Sequence, residues 1–322
     1  MPDAPAVDAL AVVLEQPQQL SLQRLALSPE PGANDVVVGV EWTGISAGTE
    51  RLLWSGRMPS FPGLGYPLVP GYETVGTVEW AGETSQHAVG DRVFLAGARC
   101  YGETRALFGG AASRVVVPGD RAISCAASLG EQGVLFALAA TAWHAAWGSN
   151  GGHPDLIVGH GALGRLLARL AIAADPSLPP PVVWETNPQR HDGAIGYPVL
   201  HPSDDPRRDY RAIYDVSGAD GIVNQLVERL APGGEIVLAG FYAEPVAFDF
   251  PPAFLREARL RVAAEWRPSD LAAVAELANT GRLPLHDLIT HTVDATEAAS
   301  AYDTAFTDPA CVKMILDWRA HR

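Results

Sequence analysis

Apolar residues recur along this chain with two different periods. From residue 9 to about 118 they come in short, valine-rich runs: 9–14, 20–27, Asp35-Val-Val-Val-Gly-Val-Glu-Trp42, Tyr72–Trp80, Asp91–Ala96 and Arg114–Pro118. Runs of that length between glycine and proline turns read as strands, which predicts a compact, barrel-like β domain. From Glu131 to Trp147 the spacing becomes helical, and Ser149-Asn-Gly-Gly-His153 after it reads as a hinge.

Strand and helix patterns then alternate. Strand 155–159 is followed by helix 162–174, strand Val182-Val-Trp-Glu185, and a turn region reaching Tyr197-Pro-Val-Leu200. Next come strand Tyr210–Val216, helix 219–230, strand Glu235-Ile-Val-Leu-Ala239, a short helix near 252–257 and strand Arg259–Glu265. Six strands with intervening helices predict a doubly wound parallel sheet, so the fold class is α/β. Helices at Ser269–Thr280 and Ala295–Ala305 and strands near 288–293 and 311–317 complete the chain.

The first of these βα units carries Gly159-His-Gly-Ala-Leu-Gly164 at its turn. Three glycines there permit a tight turn, close approach of backbone to a pyrophosphate, and close helix–strand packing. The helix N-terminus adds unpaired N–H groups and a positive dipole end. Gly159, His160, Gly161, Ala162, Leu163 and Gly164 are thus candidate cofactor-binding residues, with His160 read as free to vary. Leu163, Leu167, Leu170 and Ala171 share one helical face, and Arg165 and Arg169 are expected to point away from it.

Composition acts mainly by exclusion. The net charge of −14 argues against nucleic acid or an anionic membrane as a partner drawn by charge. Lys313 is the only lysine and lies in a strand pattern away from any loop motif, which disfavours Walker-type phosphate binding and Schiff-base chemistry. Cys100, Cys125 and Cys311 form no disulfide framework, and a reduced, cytoplasmic setting is expected. No signal peptide is read, and the longest apolar run, Val134–Trp147, is too short to span a bilayer.

Glu185 closes the second strand of the sheet, 21 positions after Gly164. A carboxylate there accepts both ribose hydroxyls of NAD and repels the 2′-phosphate of NADP, although Arg190 nearby keeps NADP open. Asp215 and Ser217, and Gly240-Phe-Tyr242, end the fourth and fifth strands and are either cofactor contacts or turn chemistry.

Val40-Glu-Trp-Thr-Gly-Ile-Ser46, Pro70-Gly-Tyr-Glu-Thr-Val-Gly76, Val89-Gly-Asp-Arg-Val93, the glycine motif and Asp287-Leu-Ile-Thr-His291 together resemble the medium-chain dehydrogenase/reductase superfamily, the zinc alcohol dehydrogenases. The resemblance implies a GroES-like catalytic domain over 1–130, an NAD-binding Rossmann domain over 131–266, and a segment 267–322 returning to the first. It also implies that Thr141 touches the nicotinamide.

The departures are informative. Where zinc members have Gly-Ile-Cys and Gly-His-Glu, this chain has Ser46 and Tyr72, both poor zinc ligands at neutral pH. The four-cysteine zinc lobe is replaced by Gly97–Gly110, which holds only Cys100. No metal of either kind is expected. A side chain must then take the alcohol proton, and the candidates are Ser46, Thr49, Tyr72 and Glu73. By resemblance Thr49 occupies the hydroxyl position of the family's proton relay. Tyr72 serves as acid/base if its pKa is lowered, and is otherwise a packed aromatic. His144 is a second-rank candidate, since a lone histidine in an apolar helix is more often a core residue.

Within the superfamily, Trp42-Thr-Gly-Ile-Ser46 with Gly48-Thr-Glu50, Phe61–Glu73, Gly97–Gly102, Phe108–Ala112, Trp184–Pro188 and Gly240–Pro245 resemble the bacteriochlorophyllide a dehydrogenases of bacteriochlorophyll biosynthesis. That resemblance implies NAD-dependent oxidation of a 3-(1-hydroxyethyl) group on a magnesium bacteriochlorin to 3-acetyl. Trp54, Phe61, Tyr66, Tyr101 and Phe108 are expected to line the site of so bulky and flat a substrate. A homodimer and a peripheral place at the photosynthetic membrane are further expectations. The competing readings are a zinc-free quinone or enone reductase using NADPH, and a non-catalytic nucleotide-binding pigment carrier.

Overall fold

In the computed structural model, residues 8–60, 62–148, 151–242 and 244–322 are described. Phe61 and the Ser149–Asn150 part of the expected hinge lie outside them. The chain divides into two compact units, residues 1–137 with 289–322, and residues 138–288.

The first unit is built on Asp35–Ile45, eleven residues of which ten are buried. A strand this deeply buried needs partners for its backbone N–H and C=O groups on both edges. Thr74–Ala81 pairs antiparallel along one edge, and Arg114–Pro118 and Met314–Asp317 pair antiparallel with successive stretches of the strand. Arg92–Leu95, Ala122–Ser124 and His291–Asp294 complete a seven-stranded sheet. A second, four-stranded sheet joins Gln19–Ala26, Asp8–Gln16, Leu68–Val69 and Arg105–Ala106 in that order. Val12, Leu14, Val36, Val38, Val93, Val115 and Trp318 belong to one core. The C-terminal strand is anchored there by register, Met314 opposite Ile45, and by Trp318 Nε1 donating to Thr43 Oγ1 at 2.9 Å.

The second unit is the parallel sheet, in the order Val199–Leu200, Val182–Trp184, Leu156–Val158, Tyr210–Asp215, Leu230–Leu238, Arg259–Val262. All five pairings are parallel. The helix after the first of these strands in sequence runs from Ala162 to Ala174, the span expected.

Three local readings change. The pattern over 131–147 does not form one helix: a 3-10 stretch, Ala127–Leu135, precedes the α-helix Phe136–Trp143, and a π turn, His144–Gly148, follows. Gly130 interrupts the first part with φ 54°. At the other end His144 crowds Gly148, where an added Cβ would lie 2.3 Å from its Nδ1.

The return to the first unit also differs, coming at Ile289 rather than 267. The helix Pro268–Asn279 and the stretch after it are bonded into the parallel-sheet unit. His144 Nδ1 meets Asp270 Oδ2 at 2.8 Å, and Arg169 donates to the carbonyls of Pro284 and His286 at 3.0 and 2.7 Å.

Finally, Arg165 and Arg169 do not point to solvent; they are 5% and 1% exposed. Neither arginine makes an ion pair among the described residues. Backbone carbonyls take their place. Arg165 donates to His160 O and Arg190 O, and Arg169 also donates to Gly193 O. The helix is therefore buried on nearly every side, which a two-faced reading of its pattern does not anticipate.

Candidate functional site

Chemistry-bearing side chains gather in two places, one in each unit. In the parallel-sheet unit the glycines divide the labour. Gly159 adopts φ 104°, a conformation that favours glycine. Gly164 lies against it: an added Cβ would come 1.9 Å from Gly159 O. At Gly161 the same test meets only Arg190 Nη1, at 3.8 Å, so this face of the loop is open. The first-turn amides of Ala162–Ala174 have no carbonyl within the helix to pair with. An open backbone cradle at a helix N-terminus fits a pyrophosphate. Leu163 lies in that first turn and is half-buried.

Glu185 stands beside this loop. Its carboxylate accepts from His160 N at 3.0 Å and Asn187 N at 2.8 Å, one bond on each oxygen. Each oxygen keeps a further lone pair, enough for a ribose diol. His160 is not the free position expected. It is fully buried, with Nδ1 2.6 Å from Arg190 O and Nε2 2.9 Å from Tyr197 Oη. A carbonyl only accepts, so Nδ1 carries the hydrogen and Nε2 accepts from the tyrosine. Burial lowers the pKa of this imidazole from 6.5 to about 4 and keeps it neutral.

Ser217 and Gly240 serve the turns at the strand ends. Ser217 Oγ bonds Asp215 Oδ1 at 2.6 Å, and an added Cβ at Gly240 would meet Gly218 N at 2.6 Å. Thr141 is half-buried in Phe136–Trp143. His144 belongs to this same unit and is held by Asp270 as a buried pair.

In the first unit, Ser46, Thr49 and Tyr72 do come together. Ser46 Oγ and Tyr72 Oη are 2.7 Å apart, Tyr72 Oη donates to Thr49 Oγ1 at 3.3 Å, and Thr49 N donates to Ser46 Oγ at 3.3 Å. Phe108, 38% exposed, packs edge-on against Tyr72 with ring centres 5.0 Å apart. Tyr72 is not tuned as a base. Burial, and then the charge of Glu73, push its pKa well above the ordinary phenol value. The hydroxyl therefore keeps its proton and acts as a donor.

Beneath the hydroxyls lies a buried ionic layer that sequence reasoning missed in part. Lys313 Nζ sits 2.7 and 2.9 Å from the two oxygens of Glu73 and donates to Ile45 O at 3.2 Å. The lysine and glutamate are 4% and 0% exposed. Glu50, also fully buried, accepts from Ser46 N at 3.1 Å and from Tyr302 Oη at 2.5 Å. Burial raises its pKa from 4.5 to about 7. The available signals were a solitary lysine inside an apolar strand and a glutamate four positions after Ser46, in the first turn of the helix Thr49–Ser55.

This donor set does not fit the family's zinc. Its most accessible members are half-buried hydroxyls, and both carboxyl groups are already engaged, Glu73 by Lys313 and Glu50 by an amide and a phenol. Among the other expected lining residues, Tyr101 is core instead, 4% exposed, because its hydroxyl is consumed by Gly109 O at 2.7 Å. Trp54 and Tyr66 are half-buried and pack on that core, with Tyr66 Oη donating to Leu53 O.

The alcohol dehydrogenase GroES-like domain family matches residues 32–128, the segment that carries Ser46, Tyr72 and Glu73. Two full-length relatives go further. Proteins from Cereibacter sphaeroides and Rhodobacter capsulatus, each named 2-desacetyl-2-hydroxyethyl bacteriochlorophyllide A dehydrogenase, are 56% and 54% identical to this chain. The alignments cover 96% and 97% of it, and 98% and 99% of the relatives. The chain belongs to this dehydrogenase family. Among solved structures, an alcohol dehydrogenase from Escherichia coli CFT073 complexed with NADH has a TM-score of 0.80. It shares 22% identity, and the match covers 96% of this chain and 99% of that one, so the likeness is one of fold.

Proposed function

We propose that this protein oxidises the 3-(1-hydroxyethyl) group of a magnesium bacteriochlorin to 3-acetyl, with NAD as acceptor and no catalytic metal. The observation that carries the reading is near full-length identity above 50% to relatives named for the hydroxyethyl bacteriochlorophyllide. The site supports it: three hydroxyls form one cluster where the superfamily's metal ligands stand.

Loss of a hydride and a proton turns the carbinol into a ketone, and bound NAD supplies the hydride acceptor. The protein's part is to hold the carbinol oxygen and steer its proton. Ser46 and Thr49 offer hydroxyls that both donate and accept, so each can take the alcohol's proton while giving up its own, and part-exposed Thr49 passes it to solvent water. Tyr72, kept protonated, donates to the oxygen as negative charge grows on it. The Lys313–Glu73 pair fixes the carbonyl of Ile45, and Glu50 fixes the amide of Ser46, so the loop bearing the hydroxyls is held from both sides. Conjugation of the new ketone with the macrocycle lowers the electrophilic help required.

Glu185 supports NAD over NADP, since a 2′-phosphate would meet its carboxylate. The test mixes protein, NAD and 3-hydroxyethyl bacteriochlorophyllide a and follows the pigment spectrum, with NADP and a chelator in parallel. The expected result is conversion with NAD, little with NADP, and no loss after prolonged chelation. NADPH-dependent enone reduction without alcohol oxidation would overturn the reading.

We further infer a homodimer. The outer edge of Arg259–Val262 ends the parallel sheet, and Phe250, Phe254, Leu255 and Val262 around it are each more than 60% exposed. An unpaired edge with an apolar border favours a second copy. Light scattering should give twice the chain mass, reduced to one by Val262→Lys. A monomer that binds lipid vesicles would instead assign the strip to a membrane surface. No helix among the described residues is long and apolar enough to cross a membrane.

A further inference from the structure

The first unit carries a second feature that the oxidation does not use. An open hollow of about 410 Å3 is walled by Pro62, Gly63 and Arg99 and by residues 101–107. Arg99 and Arg105 both line it, and both are exposed. Elsewhere in this unit, Arg51, Arg57 and Arg121 lie outside the hollow's wall and make no ion pair among the described residues, while Arg24, Arg92, Arg114, Arg319 and Arg322 each meet a carboxylate. Among the described residues Arg99 and Arg105 do not. Arg105 has one long bond, from Nη1 to Tyr66 O at 3.4 Å, and Glu103 in the same wall pairs with neither arginine. In a chain with 37 acidic and 23 basic residues, two unpaired guanidinium groups around one hollow call for an anion from outside.

The wall of the hollow is continuous along the chain with the ring that packs on Tyr72. Leu68–Val69 runs parallel to Arg105–Ala106, with Leu68 opposite Arg105. Tyr72 lies three residues beyond Val69 and Phe108 two beyond Ala106, and their rings meet. Arg105 is thus three residues from the ring that covers the hydroxyls, at most about 10 Å along the chain.

We propose that this hollow receives a carboxylate of the substrate, with Arg99 and Arg105 as donors. The inference rests on the pigment reading above. A bacteriochlorophyllide, unlike its esterified forms, has a free propionate, on the pyrrole ring next to the one bearing the hydroxyethyl group. The flat ring therefore presents the reacting carbon and the anion on neighbouring corners, as the hydroxyl cluster and the arginines are arranged. Guanidinium groups suit this because their forked donors match a carboxylate bidentately.

The test compares the free acid with its methyl ester, using wild type and the Arg99→Met/Arg105→Met double variant. Wild type should favour the acid about fivefold in kcat/KM, the upper end of what an exposed ion pair supplies. The double variant should lose that preference through a higher KM for the acid, with the ester's KM and both kcat values unchanged. An acid-to-ester ratio that is the same in both proteins would overturn the proposal. Binding read by tryptophan quenching, without NAD, separates the two claims. Preferential binding of the acid without turnover upholds the hollow and overturns the oxidation. Equal binding of acid and ester overturns the hollow whatever the turnover.

Discussion

The polar cluster around Gly159–Gly164 and the one under Ser46 bury charge in opposite ways. The first buries cations: Arg165 and Arg169 are held by backbone carbonyls, and a neutral His160 bridges Arg190 O and Tyr197 Oη. The second buries carboxyl groups: Glu50 and Glu73 lie under the hydroxyls, with Lys313 as the cation on Glu73. Carbonyls satisfy a guanidinium without removing its charge, which leaves a positive field where a pyrophosphate would sit. A carboxylate cannot be met by carbonyls and needs donors, so the second cluster draws Tyr302 and Lys313 from 252 and 240 residues away. The first draws most of its partners from the loop after Glu185, with Pro284 and His286 the distant exceptions, whereas the second is long-range, with the Ser46 amide on Glu50 the near exception.

The largest test of this contrast removes the long-range cation. Lys313→Met should cost about 3–5 kcal/mol in urea unfolding, because Glu73 is left buried and unpaired. Lys313→Met/Glu73→Leu should recover most of that. Equal stability of the single variant and wild type would mean the pair is hydrated and the contrast false.

The two clusters should also respond to pH with opposite sign. Glu50 holds its proton more tightly when folded, about 7 against 4.5. Its contribution is complete below pH 4.5 and is lost as pH rises through 7, up to about 3 kcal/mol. His160 releases its proton on folding, about 4 against 6.5. Its contribution is complete above pH 6.5 and is lost as pH falls through 4, on the order of 2 kcal/mol. The two windows overlap and their slopes oppose each other, so between pH 4 and 7 stability should rise more steeply with pH in Glu50→Gln than in wild type, and should fall with pH in His160→Gln. Profiles unchanged from wild type in both variants would refute these assignments.

At the reacting groups, Tyr72→Phe should lower kcat by roughly 10²-fold, as expected for loss of a donor to developing charge, with unfolding shifted by under about 1 kcal/mol. Full activity in Tyr72→Phe would remove it from the chemistry. The glycine loop should separate stability from binding. Gly164→Ala should destabilise by about 1–3 kcal/mol, since its Cβ meets a backbone carbonyl. Gly161→Ala, with open space, should leave stability within about 0.5 kcal/mol and weaken cofactor binding in a calorimetric titration. Thr49→Val should give the smallest effect, a loss in kcat of roughly fivefold, about 1 kcal/mol.

The same division separates what was legible from what was not. Gly159, Gly164 and Glu185 were read from adjacent letters because the strand, turn and helix that position them are continuous in sequence. Ser46, Thr49 and Tyr72 followed from resemblance, and their meeting depends only on Thr74–Ala81 pairing beside Asp35–Ile45. Arg165 and Arg169 were misplaced because periodicity assigns charged positions to water, while the loop after Glu185 and the stretch at Pro284–His286 supplied carbonyls to bury them. His160 was misread for a similar reason, since its partners Arg190 and Tyr197 sit in a region with little regular structure.

By itself the sequence determined the parallel sheet with its alternating helices, the glycine-rich turn after Leu156–Val158, and hydroxyl side chains at positions 46 and 72. These are fixed by period, turn chemistry and side-chain type, which act over a few residues. Only the tertiary structure decided that Lys313 belongs to Glu73, that Glu50 stays protonated near neutral pH, and that Tyr72 is a donor. Those outcomes depend on desolvation and on which strand lies beside which. Neither is set until the chain's last strand pairs with Ile45.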